Sequence, residues 1–148
     1  MVNDTVTSGK SPRLGDRTVT DFIITNRDLN NVVQVLTEGV PSFAQSDELR
    51  LLGEGLDTTP GLVCGAFARF LCRLHETDPE HIGPHRDLEF DRCYAMIEWM
   101  ASSRDVAVRN LLVTEIYEVL ADRPAIVGEV RARLRPASDA LYHEWIVS

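Results

Sequence analysis

An all-α fold follows from three observations on this 148-residue sequence. Apolar residues recur at three- and four-residue spacing in segment after segment. Helix-ending glycines and prolines separate those segments. No segment alternates apolar and polar residues between turn signals as a half-buried strand would. The pattern is clearest from Tyr94 to Leu120, where two amphipathic stretches flank the break Ser102-Ser103-Arg104-Asp105.

Residues 1–19 are polar and broken by Gly9, Pro12 and Gly15, the composition of a flexible tail. Residues 20–148 form the single helical domain. Phe22 to Ile24 open the first helix or pack as an arm, and Asp28 suits the N-cap of a helix with Leu29, Val32, Val33 and Leu36 on one face. Gly39 and Pro41 then stop it. A second helix is predicted from Ser42 to Leu52, displaying Phe43, Leu49 and Leu52. After a turn-rich break around Gly53 to Gly61, Leu62, Ala66, Phe67, Phe70, Leu71 and Leu74 make one broad apolar face, where Gly65 and Ala66 allow a close helix contact. Pro79, Gly83 and Pro84 enforce a loop. The next helix runs from about Asp87 to Ala101 and buries Phe90, Tyr94, Ile97 and Met100. Ser102 or Ser103 caps its successor, with Asp105 favourably placed against the helix dipole. That helix presents Val108, Leu112, Ile116, Val119 and Leu120. Arg123-Pro124 opens a helix with Ile126, Val127, Val130 and Leu134, and Pro136 opens a last one with Leu141 and Trp145. The sum is a single compact bundle of six or seven short helices, with HEAT-like stacked pairs as the alternative arrangement.

The length suits one core, and 44% hydrophobic with 26% charged residues is ordinary for a globular chain. No apolar run approaches a membrane span and no basic-then-apolar leader opens the sequence, so a cytoplasmic protein without membrane contact is expected. The net charge of −8 argues against nucleic acid as direct partner, since phosphate contact needs a basic face. The acidity is concentrated. Residues 38–91 carry eleven acids against Arg50, Arg69, Arg73 and Arg86, a net of −7, whereas residues 1–37 are neutral and residues 92–148 net −1. Such a field attracts a basic partner and speeds its approach; a merely solvated surface is the plainer reading. Cys64, Cys72 and Cys93 lack CxxC spacing and are expected as buried, reduced thiols.

His75, His81 and His85 lie within eleven residues, with Cys93 nearby. Imidazole and thiolate can hold zinc tetrahedrally, but the spacing matches no established box, so solvated loop histidines are the stronger reading and no metal or other cofactor is expected. Arg69, Asn110, Glu115 and Glu118 are read as structural polar groups. Glu115, beside the apolar face, would pair with Arg109, Arg73 or Arg69 rather than act as an acid or base. No nucleophile elbow, GxGxxG, GxxxxGK[ST] or HExxH is present, so an enzyme is not expected.

GAFARFLCRL (Gly65 to Leu74), the stretch from Met96 to Leu120 and RLRPASDALYHEW (Arg133 to Trp145) together resemble a small all-helical bacterial family of unknown function, some of whose members lie close to polymorphic-toxin genes. Arg69, Phe70, Leu71, Ser103, Asp105, Val108, Asn110, Leu111, Glu118 and Leu120 match its pattern, while Arg104 stands where relatives usually show Gly. The likeness covers roughly residues 40–146. It implies the fold and an immunity-like setting, not a reaction. A non-enzymatic protein-binding domain is therefore expected, neutralising a toxin with a basic surface through Glu54, Asp57, Glu76, Asp78, Glu80 and Asp87. A homodimeric helical adaptor is the alternative, and a metal-dependent enzyme using the His75–His85 loop is the least favoured reading.

Overall fold

The structure, a computed structural model, describes residues 28–53, 59–77 and 85–147. The expected tail of residues 1–19 and the arm at Phe22 to Ile24 lie outside that range. Among the described residues every regular element is a helix, as expected. α1 covers residues 28–39, and α2 (Pro41–Ala44) and α3 (Asp47–Arg50) are single turns. α4 (Pro60–Glu76) and α5 (Arg86–Ser102) are the long helices. α6 is composite: Val106–Leu111 and Glu118–Ala121 are α, with Leu112–Tyr117 wound as π between them. α7 (Pro124–Arg133) and α8 (Pro136–Ile146) complete the bundle.

The expected helix from Ser42 to Leu52 is two turns, not one helix. The Ser46 hydroxyl donates to the Phe43 carbonyl and accepts from Leu49 N–H, so a side chain ends one turn and caps the next. Gly53 closes the segment at φ 89°, a conformation that a Cβ disfavours. Thr59 caps α4 by accepting from Leu62 N–H at 3.3 Å, and Pro60 sits at its first position.

α4 is the central helix. Phe67, Phe70, Leu71 and Leu74 are buried as expected, and so are Val63, Cys64, Gly65, Ala68 and Cys72 from other sides of the same helix. Leu62, expected on the buried face, is half exposed instead. A helix apolar nearly all round needs neighbours all round, and α4 has α3, α6 and α7 against it. One continuous apolar cluster joins α1 to α8, with Phe43 edge-on to Phe67 at one end and Tyr117, Tyr142 and Trp145 packed at the other. The close contact expected at Gly65 is ordinary in fact: a methyl there would sit 3.5 Å from its nearest neighbour. All three cysteines are buried and unbridged.

Carboxylates hold the helix ends across the bundle. Asp105, expected only as a dipole partner, is itself the α6 N-cap: one oxygen accepts from Ala107 N–H at 2.9 Å and the other from Leu29 N–H of α1 at 3.1 Å. Ser103, expected to cap α6, instead donates to Asp28 at 2.7 Å and accepts from Asp105 N–H. Asp28 is helical and serves as that acceptor. Glu98 of α5 accepts from Ala137 and Ser138 N–H, both at 2.9 Å, and so caps α8 from outside. These bonds satisfy amide groups that a helix cannot satisfy internally.

Candidate functional site

A buried polar constellation sits where the C-terminal end of α4 meets α5 and α7. His75 is the last-turn residue of α4, and its imidazole has no exposed surface. Its Nδ1 donates to Glu129 of α7, and its Nε2 lies 2.7 Å from the hydroxyl of Tyr94 on α5. Because the carboxylate only accepts, the proton resides on Nδ1 and Nε2 accepts from Tyr94. Phe90 packs against the imidazole at 4.4 Å between ring centres, and the guanidinium groups of Arg86 and Arg133 lie 4.6 and 4.1 Å from the same Phe90 ring. Arg86 also approaches Glu129 at 3.6 Å.

Burial lowers the His75 pKa from its ordinary value, outweighing the carboxylate beside it, and Arg133 and Arg86 push the same way. Glu129 is lowered by its bond to His75 and by the nearby cations, against its own partial burial. Burial raises Tyr94. The arrangement is a neutral tyrosine–histidine relay with a single half-exposed member, Glu129, through which it meets solvent. It binds α4, α5 and α7 to one another.

His75 is thereby removed from the three histidines considered as metal ligands: both ring nitrogens already have protein partners. His81 lies outside the described residues, His85 is exposed before α5, and Cys93 is fully buried with its thiol raised by burial. Among the described residues no three histidine, cysteine or carboxylate side chains converge as a metal site.

Of the acids expected to face a partner, Glu54, Asp57, Asp78 and Glu80 lie outside the described residues. Glu76 is exposed and accepts from Arg123 at 2.8 Å, while Asp87 is exposed 3.5 Å from Arg133. Glu48, not singled out from sequence, takes a two-pronged bond from Arg73 at 2.6 and 3.0 Å that lowers its pKa.

The polar residues of α4 and α6 divide. Arg69 and Glu115 reach over Gly65 from opposite helices. Arg109 and Arg73, the other partners expected for Glu115, bond instead to the Ser103 carbonyl and to Glu48. Asn110 contributes its carbonyl, not its side chain, to the Thr114 hydroxyl, and Glu118 is exposed.

A groove of about 550 Å³ opens beside this corner, between α2–α3, α4 and α5. Ser42, Asp47, Phe70, Arg73, His85 and Glu89 are among the side chains that line it, and Ser42 donates to Glu89 across it. The sequence carries no signal for it, because its walls come from three separate segments. No helix among the described residues is long and apolar enough to cross a membrane.

Neither a curated protein nor a solved structure matches this chain. A family model does: it spans residues 33–147, from the middle of α1 to the end of α8, and so takes in the central helix, the carboxylate caps and the histidine corner. The chain belongs to the family described as a domain of unknown function, DUF7674.

Proposed function

We propose that this protein is a non-enzymatic protein-binding domain, an immunity protein that occludes a bacterial toxin presenting a basic surface. The observation that supports it is the charge distribution: residues 38–91 net −7 while the flanking segments are nearly neutral. An acidic field gathered on one part of a small chain accelerates encounter with a basic partner and disfavours acidic ones. The resemblance of Gly65 to Leu74 and Met96 to Leu120 to a family some of whose members lie close to polymorphic-toxin genes supports the same reading.

The test is co-expression and capture. The immobilised chain is expected to retain the product of a gene encoded beside its own, less well as salt rises, and to restore growth of cells producing it. If no neighbouring product is retained at low salt and none is neutralised, the reading fails.

A further inference from the structure

We propose that the corner where His75, Tyr94 and Glu129 meet is a proton-operated latch. When the His75 imidazole takes up a second proton, α7 parts from α4 and α5 while the rest of the bundle stays folded. The closed corner has no good place for that proton. Nδ1 already donates to Glu129, so the proton must go to Nε2, which accepts from the Tyr94 hydroxyl at 2.7 Å. Once protonated, Nε2 is a donor, and the hydroxyl hydrogen of Tyr94, a residue 2% exposed, must turn away from it into the core. The new charge would also rest on a ring with no exposed surface, near the guanidinium groups of Arg86 from α5 and Arg133 from α7. Glu129 favours the charged ring. The other acids at the corner are engaged elsewhere: Glu76, next to His75 on α4, bonds to Arg123, and Asp87 lies 3.5 Å from Arg133.

Of the three helices at the corner, α7 is the least anchored. It buries two residues, Ile126 and Val130, against eleven in α4 and six in α5. Its N-cap residue, Arg123, makes no capping side-chain bond. Its ion pairs, Arg123–Glu76, Arg133–Asp87 and Glu129–Arg86, each have at least one well-exposed member and hold weakly. Parting α7 takes Glu129 and Arg133 away with it and admits water to the imidazole. Burial, aided by Arg133 and Arg86 and outweighing Glu129, lowers the His75 pKa in the closed corner. The opened state therefore takes up the proton first, and opening grows as pH falls through about 6.5, the ordinary imidazole value. An imidazole of that value, once released, raises the opened population at most about ten-fold between pH 7.5 and 5.5.

The test is amide hydrogen exchange on the full chain at those two pH values, with rates converted to protection factors so that the intrinsic effect of pH on exchange drops out. In the wild type, Val130 and Arg131 of α7 are expected to lose protection by about three- to ten-fold at pH 5.5, while Leu71 of α4, Ile97 of α5 and Tyr142 of α8 change less than about two-fold. His75→Gln has nothing to titrate there and should abolish the effect. Glu129→Gln, at a half-exposed position, keeps an acceptor for Nδ1 but removes the charge that favours the imidazolium, so its loss at pH 5.5 should be at least as large as that of the wild type. His85→Gln and His143→Gln, at exposed histidines, should leave the effect unchanged. Protection of α7 that ignores pH, or an equal loss in every helix, overturns the latch. So does an effect that survives His75→Gln, or one that disappears in Glu129→Gln, His85→Gln or His143→Gln. Should His75→Gln fail to fold, the wild type and the other three variants still decide.

Discussion

Replacing Asp105 by alanine removes the acceptors of two helix N-termini at once. The residue is 3% exposed, so water does not substitute for its carboxylate. Losing the cap on Ala107 costs about 1 kcal/mol, and leaving Leu29 N–H without its acceptor costs roughly 1–3 kcal/mol more. A total near 3 kcal/mol lowers Tm by roughly 6–12 °C for a chain of this size. Asp105→Asn separates the two roles. Its remaining oxygen can cap Ala107, but its amide nitrogen then faces the Leu29 N–H, so it should lose about 1–3 kcal/mol and leave α6 intact. Urea unfolding gives the free energies, and hydrogen exchange resolves the sites: both amides should lose protection in the alanine variant, and only Leu29 in the asparagine variant. If Asp105→Ala stays within about 0.5 kcal/mol of the wild type, an ordinary surface substitution, the account of Asp105 as a shared cap is wrong.

Other expectations need only thermal or chemical unfolding. Gly128 lies mid-helix in α7, and a methyl group added there would meet nothing within 4 Å, so Gly128→Ala should stabilise by about 0.5–1 kcal/mol; a loss would refute it. The Tyr142 hydroxyl is buried without a hydrogen-bond partner among the described residues, whereas that of Tyr117 donates to the Ser138 carbonyl at 2.7 Å. Tyr142→Phe should therefore be neutral or stabilising and Tyr117→Phe should cost about 1 kcal/mol, and the reverse order would sink the distinction. His75 has a lowered pKa in the fold, so the unfolded chain takes up its proton first as pH falls. Its contribution is complete above the unfolded value of about 6.5 and is lost progressively below it, down to the folded value. The urea midpoint should drop between pH 7.5 and 5.5, and His75→Gln should flatten that slope.

What the sequence makes legible is local. Apolar spacing locates Phe90, Tyr94, Ile97 and Met100 on one face of α5, and Pro124 and Pro136 mark helix starts, because each signal acts within a few residues. The Ser46 break escapes such reading because a serine inside an apolar period looks like a tolerated substitution until its hydroxyl finds the backbone. Glu98 gives no signal, since its two amide partners lie 39 and 40 residues away. The site is less legible than the fold. His75 reads as a loop histidine because it stands next to a polar run, yet Tyr94 and Glu129 come to it from 19 and 54 residues away. No periodicity encodes such meetings. The acidic segment is visible as composition, but its arginine partners Arg123 and Arg133 lie in a part of the chain that composition sets apart as nearly neutral.

The three sulfhydryls offer an optical clock. Every cysteine of the chain lies in the core, and burial lifts the Cys64 thiol to about 12, with the Glu115 charge adding to it. A chromogenic disulfide reagent therefore meets no thiolate on the native surface, and each increment of colour records an opening event. The three are graded. Cys72 lies near the Arg123–Glu76 pair at the rim of the bundle, whereas Cys93 is sealed on α5. The fast and slow phases of such a trace would separate the fraying of one helix end from the dissolution of the whole molecule, with no label introduced.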